Sequence, residues 1–180
     1  MAIFKARFPP RREIILAFVV CSVPIHIWAA IALFRAIPSW VLSMSVWDMI
    51  GVMAYPLSFA LFESFLILAG LLITAVILPP KLYRNWFVSQ STIIIFLASI
   101  WAVLLQIYGQ DWGMWSSRGL IGLLPLVAGI ILLAILNARF KSLQKSIEAL
   151  AERMVVLGFL YLIIDVFFLL VLIFRNLGPA

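Results

Sequence analysis

Polar surface is what this sequence has least of. Only 11% of its 180 residues are charged, 66% are hydrophobic, and the mean hydropathy is +1.21. A water-soluble domain of this length needs many more polar side chains to cover its surface. The composition therefore excludes a soluble globular domain and indicates a protein whose solvent is the lipid bilayer.

Cysteine and histidine each occur once, as Cys21 and His26. A single cysteine excludes a disulfide framework or a thiolate metal cluster within one chain. The sequence also lacks a glycine-rich phosphate loop, a GxSxG elbow, an HExxH helix, a CxxC pair and any lysine inside a long apolar run. These absences favour a protein that is not an enzyme, and they predict no cofactor and no metal site.

Basic side chains outnumber acidic ones by 13 to 7, which gives a formal net charge of +6. A positive excess of this size can indicate nucleic-acid binding when it forms a continuous patch. Here the basic residues fall in short segments between apolar runs. The charge is therefore interpreted as a topology signal, and no nucleic-acid partner is predicted.

Five apolar runs have about the length that a helix needs to cross a bilayer, roughly 20 residues. Their approximate bounds are 14–34, 49–78, 91–108, 119–136 and 155–174. No repeat, low-complexity tract or second domain is evident. The sequence predicts an all-α, polytopic membrane helix bundle of about five transmembrane helices, with residues 1–180 forming a single membrane domain.

The distribution of lysine and arginine predicts the orientation, because cytoplasmic loops accumulate positive residues. Ten basic residues lie on one side and three, Arg35, Arg118 and Arg175, on the other. The ten are Lys5, Arg7, Arg11, Arg12, Lys81, Arg84, Arg139, Lys141, Lys145 and Arg153. The N-terminus is therefore expected in the cytoplasm and the C-terminus outside, in a cytoplasmic-type membrane such as a bacterial inner membrane or its equivalent.

Two short segments carry candidate contact surfaces for lipid or a partner. Tryptophan prefers the headgroup level, and Trp40, Trp47, Trp112 and Trp115 all fall in the two predicted outer loops. Residues 38–48 have apolar side chains at helical spacing, which predicts an interfacial outer helix lying on the membrane.

A second segment, 137–154, has the pattern of an amphipathic cytoplasmic helix. Phe140, Leu143, Ile147 and Leu150 recur at spacings of three and four residues, while charged side chains occupy the other faces. Packing beneath the bundle itself, contact with anionic headgroups, and docking on a partner subunit are all compatible with this pattern.

Three titratable residues lie near the middle of predicted spans: Glu63, Asp165 and, slightly towards the outside, His26. A carboxylate at the centre of a lipid-facing helix costs about 2.5 to 3.5 kcal/mol on insertion scales, so both acids are expected to face the bundle interior. Tyr161 precedes Asp165 by four residues and shares its helix face. The four residues form a predicted intramembrane polar cluster, with either a structural role as hydrogen-bonded contacts between helices or a functional one.

Three functional hypotheses follow. The leading one is a non-catalytic subunit or accessory of a larger membrane complex, whose partners are the bilayer and other membrane protein subunits or a second copy of itself. The first alternative is a small transporter or channel in which Glu63 and Asp165 handle protons or a cation. The second alternative is an intramembrane enzyme or binder of a lipid-like substrate, with the same acids transferring protons.

Overall fold

The structure, a computed structural model, describes residues 8–80, 83–112 and 117–177, and no side chain is described for residues 108–122. Its described part is built from helices without a strand, which confirms the all-α prediction. The helices are α1 Arg11–Ser43, α2 Val46–Ile77, α3 Phe87–Trp112, α4 Ser117–Arg139 and α5 Lys141–Leu177, with a 3-10 turn, Arg84–Trp86, before α3.

Within the described residues, four helices, α1, α2, α3 and α5, are long and apolar enough to cross a membrane. The fifth helix, α4, is apolar over Leu123–Arg139 but falls short of that length there. These lengths and compositions are those of a polytopic membrane protein. The predicted orientation of the termini stays a prediction.

Residues 38–48 do not form the separate interfacial helix that their apolar spacing predicts. Instead, α1 continues through Pro38 to Ser43, and α2 begins at Val46. The boundary between them is fixed by Ser45, whose hydroxyl accepts a hydrogen bond from the backbone N–H of Asp48 and donates one to the Asp48 carboxylate. This serine-to-acid spacing caps a helix N-terminus, so the capping residue rather than the proline sets the break.

The segment 137–154 also differs from its prediction as a free-standing amphipathic helix. The chain leaves α4 at Arg139, passes through the non-helical Phe140, and enters α5, which is one helix of 37 residues. At 1.5 Å per residue, α5 is about 55 Å long, whereas the hydrocarbon core is about 30 Å thick. The amphipathic stretch is therefore the first part of a helix that also contains the last apolar run.

The described chain forms two compact units. The first unit combines the residues up to Ala17 with Leu71–Glu152. Within it, α3 and α4 run antiparallel: the Gln90 side-chain amide donates to the carbonyl of Ala134 at 3.1 Å, and Leu97 packs against Gly129. The prediction of a single membrane domain stays a prediction.

The second unit combines Phe18–Gly70 with the chain from Arg153 onward. Val19 of α1 packs on Gly158 of α5, where a Cβ on the glycine would lie 2.7 Å from a valine methyl. Near the C-terminal end of α5, the Arg175 guanidinium donates to the Asp48 carboxylate at 3.2 Å and to the backbone carbonyl of Trp47 at 3.3 Å. Helices α1 and α5 are thus close-packed, and the end of α5 is bonded to the start of α2.

Candidate functional site: a buried histidine–aspartate pair and an exposed glutamate

The second unit contains a buried pair of ionisable side chains, His26 on α1 and Asp165 on α5. The imidazole Nε2 lies 2.8 Å from one carboxylate oxygen of Asp165 and 3.0 Å from the other. The two residues are 1% and 2% exposed, respectively. The Tyr161 ring stacks on the imidazole with a centroid distance of 4.9 Å and an interplanar angle of 15°. Three of the four predicted cluster residues therefore lie together.

A seven-residue register between α1 and α5 positions this pair. Val19 and His26 are one heptad apart on α1, and their partners Gly158 and Asp165 are one heptad apart on α5. The two helices therefore run parallel, and each contact is two turns from the other. Because Gly158 has no side chain, the backbones can approach closely, and Asp165 then reaches the imidazole directly.

The hydrogen bonds define where one proton of the imidazole lies. Nδ1 is 2.7 Å from the backbone carbonyl of Ser22, one turn earlier on α1. A carbonyl oxygen only accepts, so Nδ1 carries a hydrogen and donates it. Nε2 then either donates to an ionised Asp165 or accepts from a protonated one, and both arrangements have zero net charge. The pair can thus exchange one shared proton between two buried atoms.

Glu63 does not join this pair, contrary to the expectation that both acids face the interior. Its side chain is exposed on α2, and no described residue forms a hydrogen bond or ion pair with its carboxylate. The buried face of α2 contains small and apolar side chains at spacings of three and four: Ala54, Leu57, Ala60, Ser64, Leu68, Leu71 and Ala75. Ser64 belongs to that face, and Glu63, about 100° away round the helix, therefore falls outside it.

The predicted contact residues occupy varied environments. Trp47 is exposed and Trp40 half-buried. Trp115 lies outside the described residues, and so does the side chain of Trp112. In the amphipathic stretch, Phe140 and Leu150 are exposed, whereas Leu143 and Ile147 are half-buried. Of these predicted contact residues, Trp47 in the second unit and Phe140 and Leu150 in the first unit each have an exposed side chain.

Sequence reasoning missed a buried polar network in the first unit. The Asn137 side-chain amide of α4 donates to the Ser89 hydroxyl of α3 at 2.8 Å. The Gln144 side-chain amide of α5 donates to the backbone carbonyl of Asn137. Asn137 is fully buried, and its Oδ1 has no hydrogen-bond partner among the described residues. The signal was the run of four polar residues at 89–92, unusual in so apolar a chain, which marks a helix-to-helix contact.

The first unit also has an acidic cavity of about 310 Å³ at the start of α1. Its lining includes the carboxylates of Glu13, Glu148 and Glu152, together with the guanidinium of Arg12. Arg12 forms an ion pair with Glu152. Burial raises the pKa of Glu13, which precedes the first apolar run, and the charge of Glu148 raises it further, while Arg84 lowers it. Glu13 is therefore easier to protonate than an ordinary glutamate.

Comparisons with protein-family models, with curated proteins and with solved structures find no match to this chain.

Proposed function

We propose that this protein is a non-catalytic subunit of a larger assembly in a cytoplasmic-type membrane, and that it binds another membrane protein through the exposed face of α2. The observation that supports the proposal most directly is the position of Glu63. This carboxylate is exposed in the middle of an apolar helix that is long enough to span a bilayer.

The hydrocarbon of a bilayer solvates a carboxylate poorly. A charged side chain facing the hydrocarbon centre costs at least about 2.5 kcal/mol, and residues of this kind in membrane helices usually face protein or water. Glu63 is 17 positions from Val46 and 14 positions from Ile77, or about 25 Å and 21 Å along the axis, so it lies near the middle of α2. A second protein that covers Glu63 removes this penalty.

The surroundings of Glu63 favour a protein contact. Phe59, Phe62 and Leu66 flank the carboxylate on α2 and are 59%, 60% and 61% exposed, respectively. Aromatic side chains are enriched at the core of protein interfaces, and polar side chains inside a membrane join one helix to another. In a helix that faced only lipid, the central carboxylate would form no stabilising contact.

The assembly is tested by gentle extraction into nanodiscs, followed by native mass measurement. We expect the chain to be recovered with another membrane protein, and the Glu63→Leu variant to be recovered without it. Phe167→Leu on α5, which alters another exposed position of the second unit, is the matched control and should keep the partner. Recovery of wild-type chain alone, as a monodisperse species, would contradict the proposal.

A second candidate function is supported by the His26–Asp165 pair: movement of protons across the membrane. A buried pair that shares a proton has the chemistry of an intramembrane proton relay, and the candidate cluster is then His26, Asp165 and Tyr161, without Glu63. Proton flux into proteoliposomes should stop in Asp165→Asn and persist in Glu63→Gln. Equal flux in wild-type protein and Asp165→Asn would exclude this role. Action on a lipid-like substrate stays a prediction.

A further inference from the structure

We propose that the partner segment covering Glu63 is a transmembrane helix of a different protein, and that this helix carries a basic side chain, lysine, arginine or histidine, at mid-membrane depth. This inference rests on the proposed function and adds the chemistry of the partner to it. It is carried by the charge of the uncovered carboxylate and by the residues that surround it.

A second copy of this chain is a poor occupant of the surface. Its five apolar runs contain no lysine or arginine. Its histidine, His26, is 1% exposed, and both ring nitrogens already have partners. A symmetric contact through this face would place Glu63 against Glu63, and like charges at close range oppose each other. The complementary cation must therefore come from another sequence.

The aromatic side chains next to Glu63 suit a cation as well. The rings of Phe59 and Phe62 lie 6.4 Å apart, and both belong to the exposed face that includes the carboxylate. A lysine or arginine attracted to Glu63 can also rest on an aromatic face, which adds a cation–π contribution. A neutral hydrogen-bond donor from the partner would gain nothing comparable from these rings.

The occupant is a helix because Glu63 lies near the middle of a helix long enough to span a bilayer, and only helices and closed barrels satisfy their backbone groups within the hydrocarbon core. Two turns further along α2, Gly70 is exposed, and a Cβ added there would meet open space. A glycine on the exposed side lets a neighbouring helix approach closely. The contact surface of α2 therefore combines a central acid, two phenylalanines and a point of close approach.

The test is site-directed cross-linking in native membranes. In a Cys21→Ala background, which removes the single cysteine, Leu66→Cys is labelled with a photoactivatable maleimide and the cross-linked peptide is sequenced. We expect a transmembrane segment of another protein that has lysine, arginine or histidine within one turn of the cross-link. Phe167→Cys on α5, exposed in the same unit, is the matched control and should not give this product.

Variants of Glu63 measure how far the contact depends on charge. Glu63→Gln should lower the yield about three- to tenfold, as expected for loss of one interhelical polar contact in lipid. Glu63→Lys should lower it further, and exchanging the partner's basic residue for glutamate should restore the yield. Because Glu63 is exposed, these variants should elute from a sizing column as the wild type does, which confirms that they fold.

The outcomes separate the two proposals. No protein product from Leu66→Cys, with the chain recovered alone, contradicts the assembly itself. Three other outcomes leave the assembly intact and overturn the inference about its chemistry. They are a cross-link to a second copy of this chain, a partner segment without a basic residue, and equal yield in wild-type and Glu63→Lys proteins.

As a second measurement, a polyleucine transmembrane peptide with one central lysine should bind wild-type protein in vesicles more tightly than its all-leucine counterpart. Equal binding of the two peptides would count against a cationic contact.

Discussion

Asp165 and Glu63 are acids near the middle of apolar helices in the same unit, yet their surroundings are opposite. Asp165 is 2% exposed and bonded to His26, whereas Glu63 is exposed, and no described residue bonds to it. The same functional group thus finds its partner inside the chain in one region and has none there in the other. The comparison teaches that a carboxylic acid, placed near the middle of an apolar helix, can be bonded inside the chain or exposed on its surface.

Helix rotation decides between these outcomes. On α5, buried positions recur every seven residues at Gln144, Ala151, Gly158 and Asp165. All four are small or polar, so this stripe packs closely and includes the acid. On α2, the buried stripe includes Ser64 and leaves Glu63 beside it. A shift of one position along the helix separates a buried acid from an exposed one.

Removing Asp165 should have the largest effect on stability. Asp165→Ala leaves the buried imidazole of His26 without its partner, which should lower the free energy of unfolding by about 3 to 5 kcal/mol. Denaturation in mixed detergent micelles measures the change. The double variant His26→Leu with Asp165→Leu should recover most of the loss, because apolar replacement of both partners removes the unpaired group. A harmless Asp165→Ala would mean that the pair contributes little to holding α1 against α5.

A methyl group at Gly158 tests the close packing that brings the pair together. Gly158→Ala places a Cβ against Val19, and such overpacking should cost about 1 to 3 kcal/mol of unfolding free energy. Gly70→Ala is the matched control in the other region, since its Cβ meets open space, and it should be neutral or slightly stabilising through helix propensity. Equal effects of the two substitutions, measured by thermal unfolding, would remove the distinction between the two faces.

Replacement of Glu63 should change the stability of the isolated chain very little. Glu63→Leu removes no hydrogen bond or ion pair with a described residue, so its free energy of unfolding in detergent should stay within about 0.5 kcal/mol of the wild type. The contrast with Asp165→Ala is the sharpest form of the comparison. A loss of more than about 2 kcal/mol in Glu63→Leu would show that Glu63 has an internal partner after all.

Glu13 is an intermediate case, half-buried beside the acidic cavity, and its effect should be the smallest. Its pKa in the folded chain is raised above the ordinary 4.5. Between that value and the raised pKa, the folded chain binds more protons than the unfolded one, so this group's contribution to stability decreases as the pH rises through the window.

Melting temperatures are measured from about pH 7 down to about pH 4. As the pH falls, the melting temperature of the wild-type chain should rise relative to that of the Glu13→Gln variant. Glu152→Gln, which removes the carboxylate that pairs with Arg12, serves as the control and should not reproduce this trend. Parallel curves for wild-type and Glu13→Gln proteins would show that burial of Glu13 does not affect folding.

The all-α class and the long apolar helices were predictable, because hydropathy depends only on residue type and length. The capped start of α2 was also accessible: Ser45 followed by Asp48 is a recognisable N-terminal signal. The continuity of α1 through Pro38 was not, since proline lowers helix stability locally but a long apolar helix in lipid must keep its backbone bonded.

The sequence by itself determined the long apolar helices of this protein and the positions of its central titratable residues along them, because transfer free energies add along a helix without regard to its rotation. Only the tertiary structure decided that His26 meets Asp165 and that Glu63 remains uncovered. A helix that is apolar on every face has no polar side to fix which face turns towards its neighbours. Its rotation is set by close packing at Gly158 and by hydrogen bonds between buried polar side chains. Both depend on which residues the neighbouring helix places at the contact.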